Sequence, residues 1–206
     1  KSPWFALGRM LQPLAVWLAD DSMNGLRIVA ANDTPDDLAA TLRLRAWSAA
    51  GAPLDESATP VALAGRSVTE WSADLLLGGF RDVAWTYRFG PPAYDCLAVD
   101  VELADGRTAG TVQFPAGRAR PRLPEIGLAA TVERGDQDGI WTLEVGTRLA
   151  AQWVAVDCPG FTPSDNWFHL APGTVRRIRL TGNEGDLPTG SVRALNAAET
   201  AAFNSY

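Results

Sequence analysis

The punctuation of this chain limits its fold more than any single motif. Short runs of apolar and polar residues are cut about every 8–12 residues by clusters of Gly, Pro, Asn and Asp, the spacing of all-β sandwiches. Leu38–Trp47 alternates cleanly, with Leu42, Leu44 and Ala46 on one face and Arg43, Arg45 and Trp47 on the other. Similar runs follow at Leu54–Ala64, Val68–Leu75, Phe80–Phe89, Tyr94–Leu103 and Thr108–Phe114, with Asp105-Gly106 as a hairpin signal. After residues 115–124, rich in Pro and Arg, strand patterns resume at 126–133, 140–146, 152–157, 166–170, 174–180 and 190–195. Only the ends read as helix. Trp4, Leu7, Met10 and Leu11 recur at helical spacing after Pro3, and Pro13 blocks continuation. Asn196–Phe203 reads as a short polar helix, Asn196 its cap and Glu199 three residues on. The expected fold is all-β: two tandem immunoglobulin-like β-sandwiches behind a short N-terminal helix. The expected boundaries are 1–13 helix and linker, 14–115 first sandwich, 116–121 linker and 122–206 second sandwich.

Composition excludes several classes. With 206 residues, 47% of them hydrophobic, the chain can bury a full core. A net charge of −6 argues against nucleic acid, which needs a basic face, and against anionic membranes. Of the 18 basic residues only Lys1 is a lysine, a bias of genome composition rather than of binding. No apolar run reaches membrane length. Cys96 and Cys158, 62 positions apart in apolar runs, read as buried thiols. His169 is the only histidine and there is no Cys-x-x-Cys, so no metal and no cofactor is expected. Most of the eight Trp are expected to anchor the cores. The chain lacks an initiator Met and opens inside an amphipathic pattern, which reads as a piece of a longer polypeptide. The compartment stays open between cytoplasm, periplasm and secretion in a bacterium.

Candidate chemistry is sparse. Asp20-Asp21 and Asp36-Asp37 lie in turns without the Gly-spaced loop of a calcium site. Ser164 lacks a nucleophile elbow, and no acid pair stands out for glycoside cleavage, so no catalytic residue is assigned. Arg176, Arg177 and Arg179 read as a solvated strand face. Trp153, Trp167 and Phe168 are weighed as a sugar-stacking platform against a role in a core or interface, and the second is preferred. Asp165 and Asn166 are expected to order a corner by bonding backbone N–H groups. Asp165, Asn166, Trp167 and Phe168 together form the interface candidate, with one ring entering the core and the other facing outward.

Three segments carry a resemblance to a known family. Pro163-Ser164-Asp165-Asn166-Trp167-Phe168-His169-Leu170-Ala171-Pro172-Gly173 resembles a Ser-Asp-Asn-aromatic-Phe-x-Leu-x-Pro-Gly segment in the last domain of family 2 glycoside hydrolases of β-mannosidase type. His169 stands where Asp is common there. Pro3–Val16 looks like the segment leaving that family's (β/α)8 barrel, with Gln12-Pro13 a small departure. Val29–Thr34 is similar to an apolar-x-Asn-Asp turn of the first sandwich after the barrel. The resemblance implies C-terminal accessory domains of a retaining exo-β-glycosidase, a hydrolase of carbohydrate metabolism. Its two catalytic glutamates lie on barrel strands, so this chain would carry neither. The implied partner is the upstream catalytic barrel of the same polypeptide, with its sugar left open between β-mannosides and related substrates. The alternative is a free-standing glycan-binding or adhesive sandwich pair. Glycan contact by the isolated chain belongs to that alternative.

Overall fold

The structure is a computed structural model. It describes residues 2–205; Lys1 and Tyr206, the outer ends of the first and last expected segments, lie outside the described residues. These residues divide into two compact units, Leu7–Arg118 and a second that runs from Ala119 onward and includes the residues before Leu7. The N-terminal helix α1 spans Ser2–Met10. Its last turn is closed by the Gln12 amide donating to the Gly8 carbonyl at 2.8 Å.

The first unit holds β1 (Leu14–Asp20), β2 (Leu26–Asn32), β3 (Leu38–Trp47), β4 (Pro53–Leu63), β5 (Ser67–Ser72), β6 (Cys96–Leu103) and β7 (Thr108–Gln113). All pairings are antiparallel, in two sheets ordered β1-β2-β5 and β4-β3-β6-β7. This is an immunoglobulin-like sandwich whose fourth strand has joined the larger sheet. Alternation decides which side chains meet between the sheets. Leu42 and Leu44 of β3 and Leu97, Val99 and Val101 of β6 are buried there against Ile28 and Leu26 of β2. The opposite face of β3 is charged, and Arg45 reaches Asp100 of β6 at 2.6 Å. Asp105-Gly106 makes the β6–β7 hairpin. The Arg107 N–H and guanidinium bond to the Asp105 carboxylate and hold it below the usual carboxylate range.

Two expected strands are shorter or absent. The Val68–Leu75 run ends at Ser72, whose hydroxyl accepts the Leu75 N–H and caps a short helix α2 (Ala73–Leu76). Phe80–Phe89 pairs with no strand. It lies in the loop Leu77–Asp95, where the Asp82 carboxylate takes the Thr86 and Tyr87 N–H groups that a ladder would have used.

The second unit holds β8 (Ala129–Arg134), β9 (Ile140–Gly146), β10 (Ala151–Asp157), β11 (Thr162–Pro163), β12 (Phe168–Leu170), β13 (Val175–Thr181), β14 (Thr189–Arg193) and β15 (Thr200–Asn204). Its sheets run β12-β10-β14-β15 and β11-β13-β9-β8, again antiparallel. Leu143, Val145, Val154, Phe168, Ile178, Leu180 and Val192 fill the space between them. Burying each such side chain fully stabilises by about 1.5–3 kcal/mol.

The expected C-terminal helix is instead strand β15. Asn196 and Glu199 spend their side chains on other backbone groups. The Glu199 carboxylate accepts the Ile126 and Leu128 N–H groups at 2.6 and 3.0 Å. The open side of β14 offers Thr200–Asn204 a ladder, and Phe203 enters the core. A tertiary pairing thus outweighs a weak local preference. The tryptophans also depart from expectation: only Trp47 and Trp141 are buried, because Leu, Val, Ile and Ala fill most of both cores. Cys96 and Cys158 are buried thiols that form no disulfide, and burial pushes the Cys158 thiol up.

Candidate functional site

The Ser164–Gly173 segment crosses from one sheet of the second unit to the other. Ser164 ends the β11–β13 pairing. Its N–H donates to the Arg179 carbonyl at 2.7 Å, and its hydroxyl accepts the Arg179 N–H at 3.0 Å. Asp165 then turns the chain, accepting the Asn166 N–H at 2.8 Å and pairing with Arg176. The Arg176 guanidinium lies 4.9 Å from the centre of the Phe168 ring.

Asn166 completes the crossing with its side chain. Its amide oxygen accepts the Val156 N–H at 2.9 Å and its amide nitrogen donates to the Val156 carbonyl at 2.8 Å. These are the two bonds that a strand residue beside Val156 would make. The side chain therefore extends the β12–β10 ladder past the end of β12. Near the other end of β10, the Asn196 amide accepts the Gln152 N–H at 2.7 Å and donates to the Ala150 carbonyl at 2.9 Å. Between them β10 carries a bulge, with its register shifted between Ala151 and Val154. Trp153 sits in it at φ 49°. Its N–H donates to Nδ1 of His169 at 3.0 Å, and the two rings meet edge to face at 4.6 Å.

The four interface candidates are brought together here. Asp165, Asn166 and Phe168 are buried, the last as part of the core. Trp167 is half-buried at φ 57° and keeps the most open surface of the four. Trp153 is exposed beside His169. On β13, Ile178 points inward while Arg177 and Arg179 are exposed, Arg177 pairing with Glu144 at 2.7 Å. Among the turn acids, Asp20 accepts the Ser22 N–H, Asp21 pairs with Arg27 and Asp37 accepts the Gly65 N–H. The described residues hold no group of three or more His, Cys, Asp or Glu that could bind a metal.

The loop Leu77–Asp95 of the first unit is a second candidate, and the sequence reading missed it. Phe80 and Tyr87 meet edge to face at 5.3 Å, and Tyr87 and Phe89 are near-parallel at 6.3 Å. Trp85 lies within cation–π reach of Arg88 and Arg118. Asp82, Trp85 and Arg88 all hold φ near +50° without being glycine, a strain of about 1–2 kcal/mol each. The signal that could have revealed this loop is its flanks, Gly78-Gly79 and Gly90-Pro91-Pro92, which bracket the aromatics with turn makers.

No family model and no curated protein matches the sequence. Among solved structures, a red sea bream transglutaminase aligns over 98% of this chain and 33% of its own at 11% identity, with a TM-score of 0.30. A β-D-mannosidase from Dictyoglomus thermophilum aligns over 96% of this chain at 13% identity, with a TM-score of 0.71. That alignment takes in 23% of the mannosidase, so the chain has the fold of less than a quarter of that protein.

Proposed function

We propose that this chain is the non-catalytic C-terminal accessory region of a retaining exo-β-glycosidase of β-mannosidase type. The observation that carries the reading is the shared fold over 96% of this chain with 23% of a β-mannosidase. The order of the Pro3–Val16, Val29–Thr34 and Ser164–Gly173 segments supports it. So does α1: Trp4, Leu7, Met10 and the adjoining Leu11 are 57–78% exposed, an apolar stripe suited to packing on preceding chain. The catalytic barrel of the same polypeptide is the proposed partner. Trp167 is the proposed outward contact of the corner that Asp165, Asn166 and Phe168 build.

The test has two parts. The chain itself should turn over neither aryl β-mannosides nor aryl β-glucosaminides. Turnover above background that one Asp or Glu substitution in this chain abolishes would overturn the reading. The coding sequence upstream should encode a barrel with two glutamates at strand ends, and a different neighbour there would also overturn it.

A further inference from the structure

The loop Leu77–Asp95 exposes three aromatic rings, with Tyr87 between Phe80 and Phe89. Phe80 is 64% exposed, Tyr87 40% and Phe89 89%. Tyr87 and Phe89 lie two residues apart and their planes differ by only 22°.

The loop is ordered around them. The Asp82 carboxylate accepts the Thr86 N–H at 2.7 Å, and the Thr86 hydroxyl donates to the Ser22 carbonyl at 3.0 Å. The Trp85 indole donates to the Gly90 carbonyl at 3.3 Å, and the Arg81 N–H to Asp74 at 2.8 Å. Backbone strain at Asp82 and Trp85 is held by this network, and such strain gathers at ligand clamps. A surface ordered in advance loses little entropy on binding.

The size and charge of the patch select its occupant. The three rings expose roughly 400 Å². A stable protein interface needs about 800 Å² from each partner. The patch is thus too small for a second copy and suits a ligand a few rings long. Charge in the loop balances, Arg81 and Arg88 against Asp82 and Asp95, which favours a neutral ligand. Polar groups rim the rings. The exposed Tyr87 carries a hydroxyl, and Arg88 adds guanidinium donors over Trp85. A sugar ring has a C–H face for the negative face of an aromatic ring and hydroxyls for such a rim.

We propose that the loop Leu77–Asp95 binds a short neutral oligosaccharide, with Phe80, Tyr87 and Phe89 stacking on sugar rings. The inference goes beyond the accessory role above and does not depend on it. It also moves any sugar contact away from Trp153, Trp167 and Phe168, where the sequence reading weighed it.

Titration calorimetry of the whole chain with mannotetraose and with cellotetraose tests the inference. At least one sugar should bind with millimolar or tighter affinity. Phe89→Ala and Tyr87→Ala should each weaken it about tenfold, as losing one aromatic contact implies. Both rings are exposed, so circular dichroism and the melting temperature should match the unsubstituted chain. No heat from either sugar at millimolar concentration would overturn the proposal. So would binding that survives both substitutions but is lost in Trp167→Ala or Trp153→Ala. Self-association of the chain that Phe89→Ala abolishes would overturn it in favour of a contact between copies.

Discussion

Asn166→Ala should be among the most damaging polar substitutions in the molecule. The side chain makes both ladder bonds to Val156, at 2.9 and 2.8 Å, and also accepts the Trp167 N–H at 2.8 Å. Val156 and Asn166 are both buried, and alanine reaches neither backbone group of Val156. Each buried group left without a partner costs about 1–3 kcal/mol. Losing partners for both Val156 groups should therefore cost about 2–6 kcal/mol, a large share of a typical domain's 5–15. Asn166→Asp should be nearly as harmful at neutral pH, because it sets a carboxylate oxygen against the Val156 carbonyl. Asn204→Ala, at an exposed position, should stay within about 0.5 kcal/mol. Urea denaturation at constant slope measures the difference, and hydrogen exchange at the Val156 amide reads it locally. If Asn166→Ala costs less than about 0.5 kcal/mol and leaves Val156 protected, the amide does not stand in for a strand.

Phe168→Ala should cost about 3–5 kcal/mol, because its ring is 2% exposed in the core; Trp167→Ala, half-buried, should cost clearly less by the same denaturation measurement. The Tyr94 hydroxyl is pushed up to about 12 by burial and then by its 2.5 Å bond to Asp55. Since its unfolded value is near 10, Tyr94 contributes full stability below pH 10 and loses it as pH rises to about 12. Tyr94→Phe should flatten that alkaline fall in a pH series of melts, and an unchanged fall would remove Tyr94 as its source. Limited proteolysis should cut first between Ala116 and Arg122, among Pro, Gly and Arg outside any strand; an early cut within Cys96–Leu103 would place the boundary elsewhere.

Strands with two unlike faces were legible because burial imposes a period of two. Leu42/Arg43/Leu44/Arg45 and Ile178/Arg179/Leu180 each name their inward face from sequence alone. The ordering role of Asp165 and Asn166 was legible too, since short polar side chains compete for nearby amides. The partner of Asn166 was not: Val156 lies ten residues back on another strand, and no local pattern encodes that meeting. The same limit hid the C-terminus, where Asn196 and Glu199 mimic a helix cap while serving β10 and the 126–128 segment. Phe80–Phe89 misled for the opposite reason. Its alternation is real, but no strand lies beside it, and the rings face water.

Among the described strands the longest is β4, with 11 residues, and it lies at the edge of its sheet. A long open edge is a template on which a second chain can grow into a fibril. Pro53 and Pro60 interrupt this one, because neither carries an N–H to donate. Asp55 and Glu56 add charge between them that an incoming copy of the same strand would have to face. The strand best placed to recruit other chains is thus poorly equipped to do so, a safeguard against aggregation written into its own backbone.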